Sequence, residues 1–271
     1  MNLDLLPQDC FAHILSFASA REACQLSIIS ETIRSMADSD VVWDNFLPFD
    51  CAEVLSRLDT PVIYRTKKEL YFKLCRLHHM DGGTKMFYLD KETAKKCYIL
   101  GARELQIQWS NNPLYWSWNS QPFLKSRFEE VAELRTIWWL EIKGLFNAKL
   151  LSPKTLYSVY LLVKFADRAY GLDTHPSQAS VQLDTVLSKR KVYLNNNGRA
   201  SSKNRVIVNG GDDREEGIDD WVEIELGEFY VNDLEDGVVE MCLKEVESQH
   251  LRGGLIVEGI QLTPKIKLLK G

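Results

Sequence analysis

Apolar residues recur every third and fourth position up to about residue 80, and every second position from about residue 85 onward. No single regular element satisfies both periods, so the chain divides into a helical part and a strand part. In the second part Leu105, Ile107 and Trp109 alternate with Gln106 and Gln108, and Trp138, Leu140 and Ile142 alternate with Trp139, Glu141 and Lys143. Tyr157, Val159, Leu161, Val163 and Phe165 share one face of a long strand. Val222, Ile224 and Leu226 alternate with Trp221, Glu223 and Glu225; Val239, Met241 and Leu243 alternate with Glu240, Cys242 and Lys244. Leu255 and Val257 hand over to Ile260 and Leu262 across Gly259, as a β-bulge would require. Half-buried antiparallel strands give this pattern, and several of them predict a two-sheet sandwich over residues 85–265. Residues 266–271 form a C-terminal tail.

Residues 1–48 read as short helices. Pro7 suits a first helical turn, where a missing N–H is harmless. Phe11, Ile14 and Leu15 then fall on one face. Ser19-Ala-Arg-Glu22 is a capping box that restarts the chain as a second helix, with Ala23, Leu26 and Ile29 or Ile33 on its buried side. Asp38-Ser-Asp40 offers a further cap before the apolar patch Val42, Trp43, Phe46 and Leu47. A unit this small buries little surface by itself. Its apolar cluster around Leu6, Pro7, Ile14 and Leu15 therefore predicts either a protein partner or packing against the rest of the chain.

Residues 49–84 connect the two parts. Thr66-Lys-Lys-Glu69 is a second capping box, and Leu70, Tyr71, Phe72, Leu74 and Leu77 predict an amphipathic helix running to His78-His79. Asp81-Gly82-Gly83 is a turn signal. A helix with so broad an apolar face is expected to brace one part against the other.

Two stretches stand out within the strand region. WSNNPLYWSW, residues 109–118, holds three of the seven tryptophans. Trp109 shares parity with core residues, Asn111-Asn112-Pro113 turns the chain, and Trp116 and Trp118 share a face. Trp221 shares its face with Glu223 and Glu225, so alternation points it outward; it is either a platform for a sugar ring or a tryptophan covered by the long polar loop that precedes it. Residues 188–220 are polar and read as a long loop, with a short hairpin at Val206-Ile-Val208. Lys189-Arg190-Lys191 reads as a solvated strand end, with nuclear import as the alternative.

Chemistry-bearing clusters are few. The net charge of −5 argues against nucleic-acid and polyanion partners. No apolar run reaches membrane-spanning length, and MNLDLLPQDC carries acids and a proline where a secretory signal places bases and an apolar run. The six cysteines have no paired spacing and are expected to be reduced thiols. Cys75 with His78 and His79 lacks a fourth metal ligand, so no metal or other cofactor is expected. Glu223 and Glu225 stand roughly 6–7 Å apart on one strand face, near a glycosidase spacing, but acids at that interval commonly serve as solubilising charge. No nucleophile–base set or phosphate loop accompanies them, so the chain is expected to be non-catalytic.

LPQDCFAHILSFAS…ACQLSIIS…ADSDVVWDNFLP resembles an F-box along its length. The resemblance implies docking on a Skp-type adaptor, and through it a cullin–RING ubiquitin ligase, with Leu6, Pro7, Ile14, Leu15 and Trp43 in the docking or supporting surface. Ser27, Ser30 and Ser35 stand where bulkier residues are usual. ARELQIQW…YWSW…EVAEL…WLEIKG…LSPKTLYSVYLLVKF…DDWVEIELGEF…GGLIVEGIQLTPK is similar to the plant phloem protein 2 domain, or Nictaba-like lectin domain. It implies a jelly-roll β-sandwich and binding of N-acetylglucosamine oligomers or N-glycan cores. Trp109 and Trp116 match family tryptophans, and Glu245 matches an acid linked to sugar binding. Val238 replaces the partner acid, with Glu240 two residues on; Leu251 and Thr263 replace an aromatic and an arginine. Losing a charge-assisted hydrogen bond of about 1.5–3 kcal/mol would weaken a shallow sugar site.

The two resemblances together imply an α+β multidomain plant F-box protein of the phloem protein 2 B-type. Its expected role is target recognition for a Skp–cullin–F-box ligase in cytoplasm and nucleus, the target being a glycoprotein or a plain protein. A carbohydrate-binding stress lectin with a vestigial F-box is the alternative. Trp109, Trp116, Trp221, Glu240 and Glu245 are the candidate sugar contacts.

Overall fold

The computed structural model describes residues 8–15, 17–120, 124–194, 221–233, 236–246 and 250–265. Leu6, Pro7, the hairpin expected at 206–208 and the tail at 266–271 lie outside the described residues. Six short helices come first: α1 (Gln8–Leu15), α2 (Ala20–Leu26), α3 (Glu31–Ala37), α4 (Asp40–Asp44), α5 (Cys51–Arg57) and α6 (Lys67–Leu74). The Ser19–Glu22 capping box opens α2 as expected, with both reciprocal bonds made. Ser30 caps α3 through the Ile33 amide. Ile33 is buried, whereas Ile29 is exposed on the turn before α3. Of the cap offered by Asp38-Ser-Asp40, Ser39 takes the N-cap position of α4 without a side-chain cap bond, and Asp40 Oδ1 instead accepts from the Lys67 amide, 2.8 Å, at the start of α6. At Thr66 only half of the expected box forms, because Glu69 accepts from the Arg65 amide.

Helix α6 stops at Leu74, short of the expected His78-His79. Leu77 continues the helical spacing, but tertiary pairing overrides it. Strand β1 (His78–Met80) is drawn into a hairpin with β2 (Lys85–Leu89). The connecting turn needs three left-handed residues, Asp81, Gly82 and Gly83, at φ 54°, 72° and 75°.

The remaining strands are β3 (Lys96–Gly101), β4 (Gln106–Ile107), β5 (Trp116–Asn119), β6 (Val131–Leu134), β7 (Leu140–Asn147), β8 (Thr155–Tyr170), β9 (Ser177–Leu183), β10 (Val186–Val192), β11 (Val222–Val231), β12 (Val238–Glu245) and β13 (Gly253–Pro264). They form an antiparallel sandwich. In the larger sheet β13 is central: β8 and then β11 lie on one flank, while β3, β2 and β1, and separately β6 and β5, lie on the other. The smaller sheet runs β10-β9-β12-β7-β4. The start of the expected 188–220 loop is therefore strand: β10 pairs with β9 along its length, its basic triplet is solvated, and Arg190 pairs with Glu225 at 2.6 Å.

Alternation places the core as read on β7 and β12, whereas Trp138, read with Leu140 and Ile142, is exposed, and Val222 and Ile224 are only partly buried. Leu140, Ile142 and Phe146 face inward on β7, as do Val239, Met241 and Leu243 on β12. The expected bulge is present between Val257 and Gly259. Gly259 is needed there, since a Cβ would stand 2.0 Å from the Leu100 carbonyl oxygen. The extra residue, Glu258, turns to the outer face of the larger sheet and is fully buried. Its carboxylate accepts from the Arg127 amide at 2.7 Å, the Ser126 hydroxyl at 3.2 Å and the Arg127 guanidinium. Residues 124–128 thereby form a strap over that outer face.

The strap corrects the reading of Trp221, which is only 8% exposed. Leu124, Val131 and Ile256 pack with it, its indole N–H donates to the Lys125 carbonyl at 3.3 Å, and the Lys164 ammonium lies over its ring. Alternation says which sheet face a side chain takes, not whether that face is wet.

Candidate functional site

The helical end and the far end of the sandwich each expose apolar side chains. At the helical end, Leu15 and Trp43 are buried within the chain and are not free to touch a partner. The Trp43 indole N–H donates to the Ala37 carbonyl at 2.8 Å, and its ring packs on Phe46, Tyr71 and Phe72. These two residues shape the module from inside. Ile14, by contrast, is 51% exposed, and Phe17, Ile28 and Ile29 are exposed further still. Helix α2 ends at Leu26, so Ile29, offered as an alternative to Ile33 for its buried side, falls with Ile28 on the turn before α3, where nothing local covers them.

At the sandwich end, WSNNPLYWSW proves to be a self-stapled loop. The Trp116 indole donates to the Gln108 carbonyl and the Trp118 indole to the Ser110 carbonyl, both at 3.1 Å. Trp116 is buried, so it cannot stack on a ligand. The Arg103 guanidinium lies over Trp118 at 3.6 Å. Trp109 is partly exposed, with a left-handed φ of 58°. That turn sets its ring 5.2 Å from Tyr115, 5.8 Å from Trp138 and 6.4 Å from Trp139. Trp138 and Trp139, which the sequence did not single out as contacts, are 47% and 42% exposed. They precede β7, where the alternation has not yet begun to bury residues. With Leu114 and Leu251 also exposed nearby in the chain's turns, the end is rich in apolar surface.

Neither candidate acid meets the expectation. Glu245 is buried and ion-paired with the equally buried Arg252. Arg252 exchanges two backbone hydrogen bonds with Ile137, each 2.9 Å, so the pair supports the Trp138-Trp139 segment from within. Glu240 lies on the opposite face of β12, five residues and about 17 Å away, paired with Lys143. Glu223 sits partly buried, and burial raises its carboxyl above the usual range.

Beside the aromatic residues an open groove of about 550 Å³ is lined by Ser117, Asn119, Glu133, Arg135, Arg168 and Tyr170. Asn119 donates to Glu133 at 2.5 Å, and the Tyr170 hydroxyl bonds Thr136 at 3.0 Å. The Arg135 amide donates to the Tyr115 carbonyl at 2.8 Å, joining groove to aromatic cluster. Among the described residues, no group of three His, Cys, Asp or Glu is placed to hold a metal. Cys75 is buried, its thiol pushed up to about 12 by burial, and His78 Nε2 lies 2.8 Å from the Lys73 carbonyl.

The two ends are far apart. Strand β7 starts beside Trp138-Trp139 and runs to a turn at Ala148–Leu150, whose Leu150 carbonyl accepts from Tyr98. Its eight residues span about 26 Å. Around that second end Lys96 meets Asp50, and the Tyr71 hydroxyl of α6 donates to the Lys91 carbonyl, so the helices sit there.

A small helical module on one end of an antiparallel sandwich, with tryptophans at the other end, defines a two-part chain. A family model for phloem protein 2 matches residues 95–264, and one for the F-box domain matches residues 3–45. In Arabidopsis thaliana the chain is similar to F-box protein At2g02240, 39% identical over 269 residues, covering 96% of this chain and 80% of that protein. It is also similar to F-box protein PP2-B10, 37% identical over 266 residues, covering 96% and 93%. F-box protein VBF is 36% identical over 281 residues, covering 96% and 99%. The chain belongs to the family of F-box proteins that carry a phloem protein 2 domain.

Proposed function

We propose that this chain is the target-recognition subunit of a Skp–cullin–F-box ubiquitin ligase. The observation that carries the reading is the separation of two apolar surfaces. Ile14, Phe17, Ile28 and Ile29 are presented at the helical end. Trp138, Trp139 and the groove at Glu133 lie about one strand length away. An adaptor seated on the first would leave the second open to a target. Leu6 and Pro7 belong to the proposed adaptor contact by resemblance, Ile14 by resemblance and exposure, while Leu15 and Trp43 support it from the core. Ubiquitin transfer would fall to the other subunits of the ligase, at work in cytoplasm and nucleus.

The test is reconstitution with a purified plant Skp adaptor and cullin. A stoichiometric complex that Ile28→Asp with Ile29→Asp abolishes, while the melting curve is kept, supports the role. Failure of the wild-type chain to bind any Skp adaptor overturns it and leaves the lectin with a vestigial F-box.

Glycan capture is the narrower version of the proposal. Trp116, Trp221 and Glu245 are withdrawn from it by burial, and Glu240 by its position. Trp109, with Trp138 and Trp139, is what remains to meet a sugar face. Titration with chitotriose decides it: saturable quenching of tryptophan fluorescence supports capture through N-acetylglucosamine, and none at millimolar sugar favours a protein target.

A further inference from the structure

The core of the F-box half is not closed by F-box residues. Trp43 is fully buried because α6, beyond the F-box, lays Tyr71 and Phe72 against it. Helix α6 also buries Leu70 and Leu74, and the Tyr71 hydroxyl donates to the Lys91 carbonyl of the β2–β3 turn, 3.1 Å. Helix α5 is held in the same way. Leu58 bridges to Met80, the Asp59 amide donates to the His79 carbonyl at 3.0 Å, and the Gly82 amide donates to Asp59 at 2.9 Å. One continuous cluster of buried apolar residues reaches from Leu15 in α1 to Leu262 in β13, so helices and sandwich share it.

One ion pair inside this junction is nearly closed to water. The Lys96 ammonium lies 2.7 Å from Asp50 Oδ2, with side-chain exposures of 1% and 10%. Lys96 is fixed by the sandwich: its amide donates to the Ser152 hydroxyl at 3.0 Å, and its carbonyl accepts from the Tyr157 hydroxyl at 2.8 Å. Asp50 stands at the start of α5, five residues past the end of the F-box match. Burying a charge is tolerated only with its partner present, so removing either group leaves the other uncompensated. The pair also tolerates few other geometries, since little solvent is there to screen a misplaced partner.

We infer that the F-box half folds only on the sandwich, with α6 completing its core and the Lys96–Asp50 pair fixing the junction, so that Lys96 and Asp50 are positioning residues for adaptor engagement. The adaptor part of this inference rests on the proposed ligase role; the folding part does not. A perturbation of the sandwich near β3 would reach the adaptor surface through α5 and α6, although no adaptor-facing residue is altered.

The experiment is amide hydrogen exchange on the full chain, alone and with the Skp adaptor, for the wild type, Lys96→Met, Asp50→Asn and the double variant Lys96→Met with Asp50→Leu. Each single variant is expected to lower protection in α3 to α6 by about tenfold or more while amides of β7 and β12 keep theirs, and to weaken adaptor binding by a similar factor. The double variant, with no buried charge left, is expected to recover most of both. Unchanged protection of α3 to α6 in both single variants overturns the inference. If a single variant unfolds the whole chain, the double variant decides: protected helices support the inference, and unprotected helices on an intact sandwich overturn it. If the wild type binds no adaptor, the ligase role falls while the exchange data still decide the folding claim.

Discussion

Arg57, at the end of α5, donates to both carboxylate oxygens of Asp81, at 3.1 Å and 2.7 Å, across the turn that opens the sandwich. Lys85 adds a third contact to Asp81 and a further one to Glu104. The Arg57 bonds, aided by Lys85, hold the Asp81 carboxyl below the usual range, against the opposing effect of burial. A lowered folded-state value means that the stabilisation is present above the unfolded carboxyl value and is lost as pH falls through the folded one. Asp81→Asn is expected to cost about 1 kcal/mol at neutral pH, the pair being only part-buried, and progressively less as pH falls through the lowered folded-state value. Urea unfolding at neutral and at acid pH checks it.

The strap gives a pH dependence of opposite sign. Burial raises the Glu258 carboxyl, with Arg127, the hydrogen bonds and Lys164 opposing. Arg127→Met removes the chief opposing charge and leaves the carboxylate buried without its cation. The expected cost is about 3 kcal/mol at neutral pH. As pH falls through the raised value the carboxyl takes up a proton in the folded chain first, so the cost should shrink on acidification. A cost that grows toward low pH would contradict this account. The same measurement on Asp81→Asn supplies the internal control, because both losses shrink in acid while the wild-type contributions move in opposite directions.

How far the sequence could be read follows from where one face of an element is wet. Strands β7 and β12 are largely half-solvated, and their alternation identifies Leu140, Ile142, Val239, Met241 and Leu243 as inward, though it also counts exposed Trp138 with them and leaves buried Cys242 outside. Strand β3 has no alternation to read: all six residues from Lys96 to Gly101 are buried, because helices and strap leave it no open side. The same cause hid the fate of Trp221 and Glu245, whose types and spacing suggested a surface they do not occupy. Positions with an isolated local signal fared better, as at the Ser19–Glu22 box, the Asp81–Gly83 turn and the bulge before Gly259. Helix α6 was legible at its start, where a cap decides, and misread at its end, where pairing of His78–Met80 with β2 across the Asp81–Gly83 turn decides.

The thiols should divide sharply by reactivity. All six cysteines are free. Cys10 is exposed, whereas Cys75, Cys97 and Cys242 are buried, and burial raises all three, Cys242 to about 11. A thiolate is the reactive form, so these three are protected by both access and ionisation. Brief iodoacetamide treatment of the native chain at neutral pH is expected to label Cys10 first by mass spectrometry. Cys24 and Cys51, part-buried with raised values, should follow slowly, and the remaining three only in denaturant.

The tryptophans should separate stability from capture. Trp116→Ala removes a fully buried ring and an indole that closes its own loop, and is expected to cost about 3–5 kcal/mol. Trp138→Ala and Trp139→Ala remove rings that are nearly half exposed, and each is expected to cost under about 1 kcal/mol. If target recognition is seated on that end, the two exposed substitutions together should reduce co-purification of short-lived partners about tenfold or more, as removal of an aromatic anchor does. Adaptor retention should be unchanged, since the helices lie at the other end of β7. The measurement is affinity capture from plant extract under proteasome inhibition, with the adaptor quantified in the same eluate. Partners that persist undiminished when Trp138 and Trp139 are both alanine would place recognition elsewhere on the sandwich, with the groove at Glu133 and Arg168 as the next surface to alter.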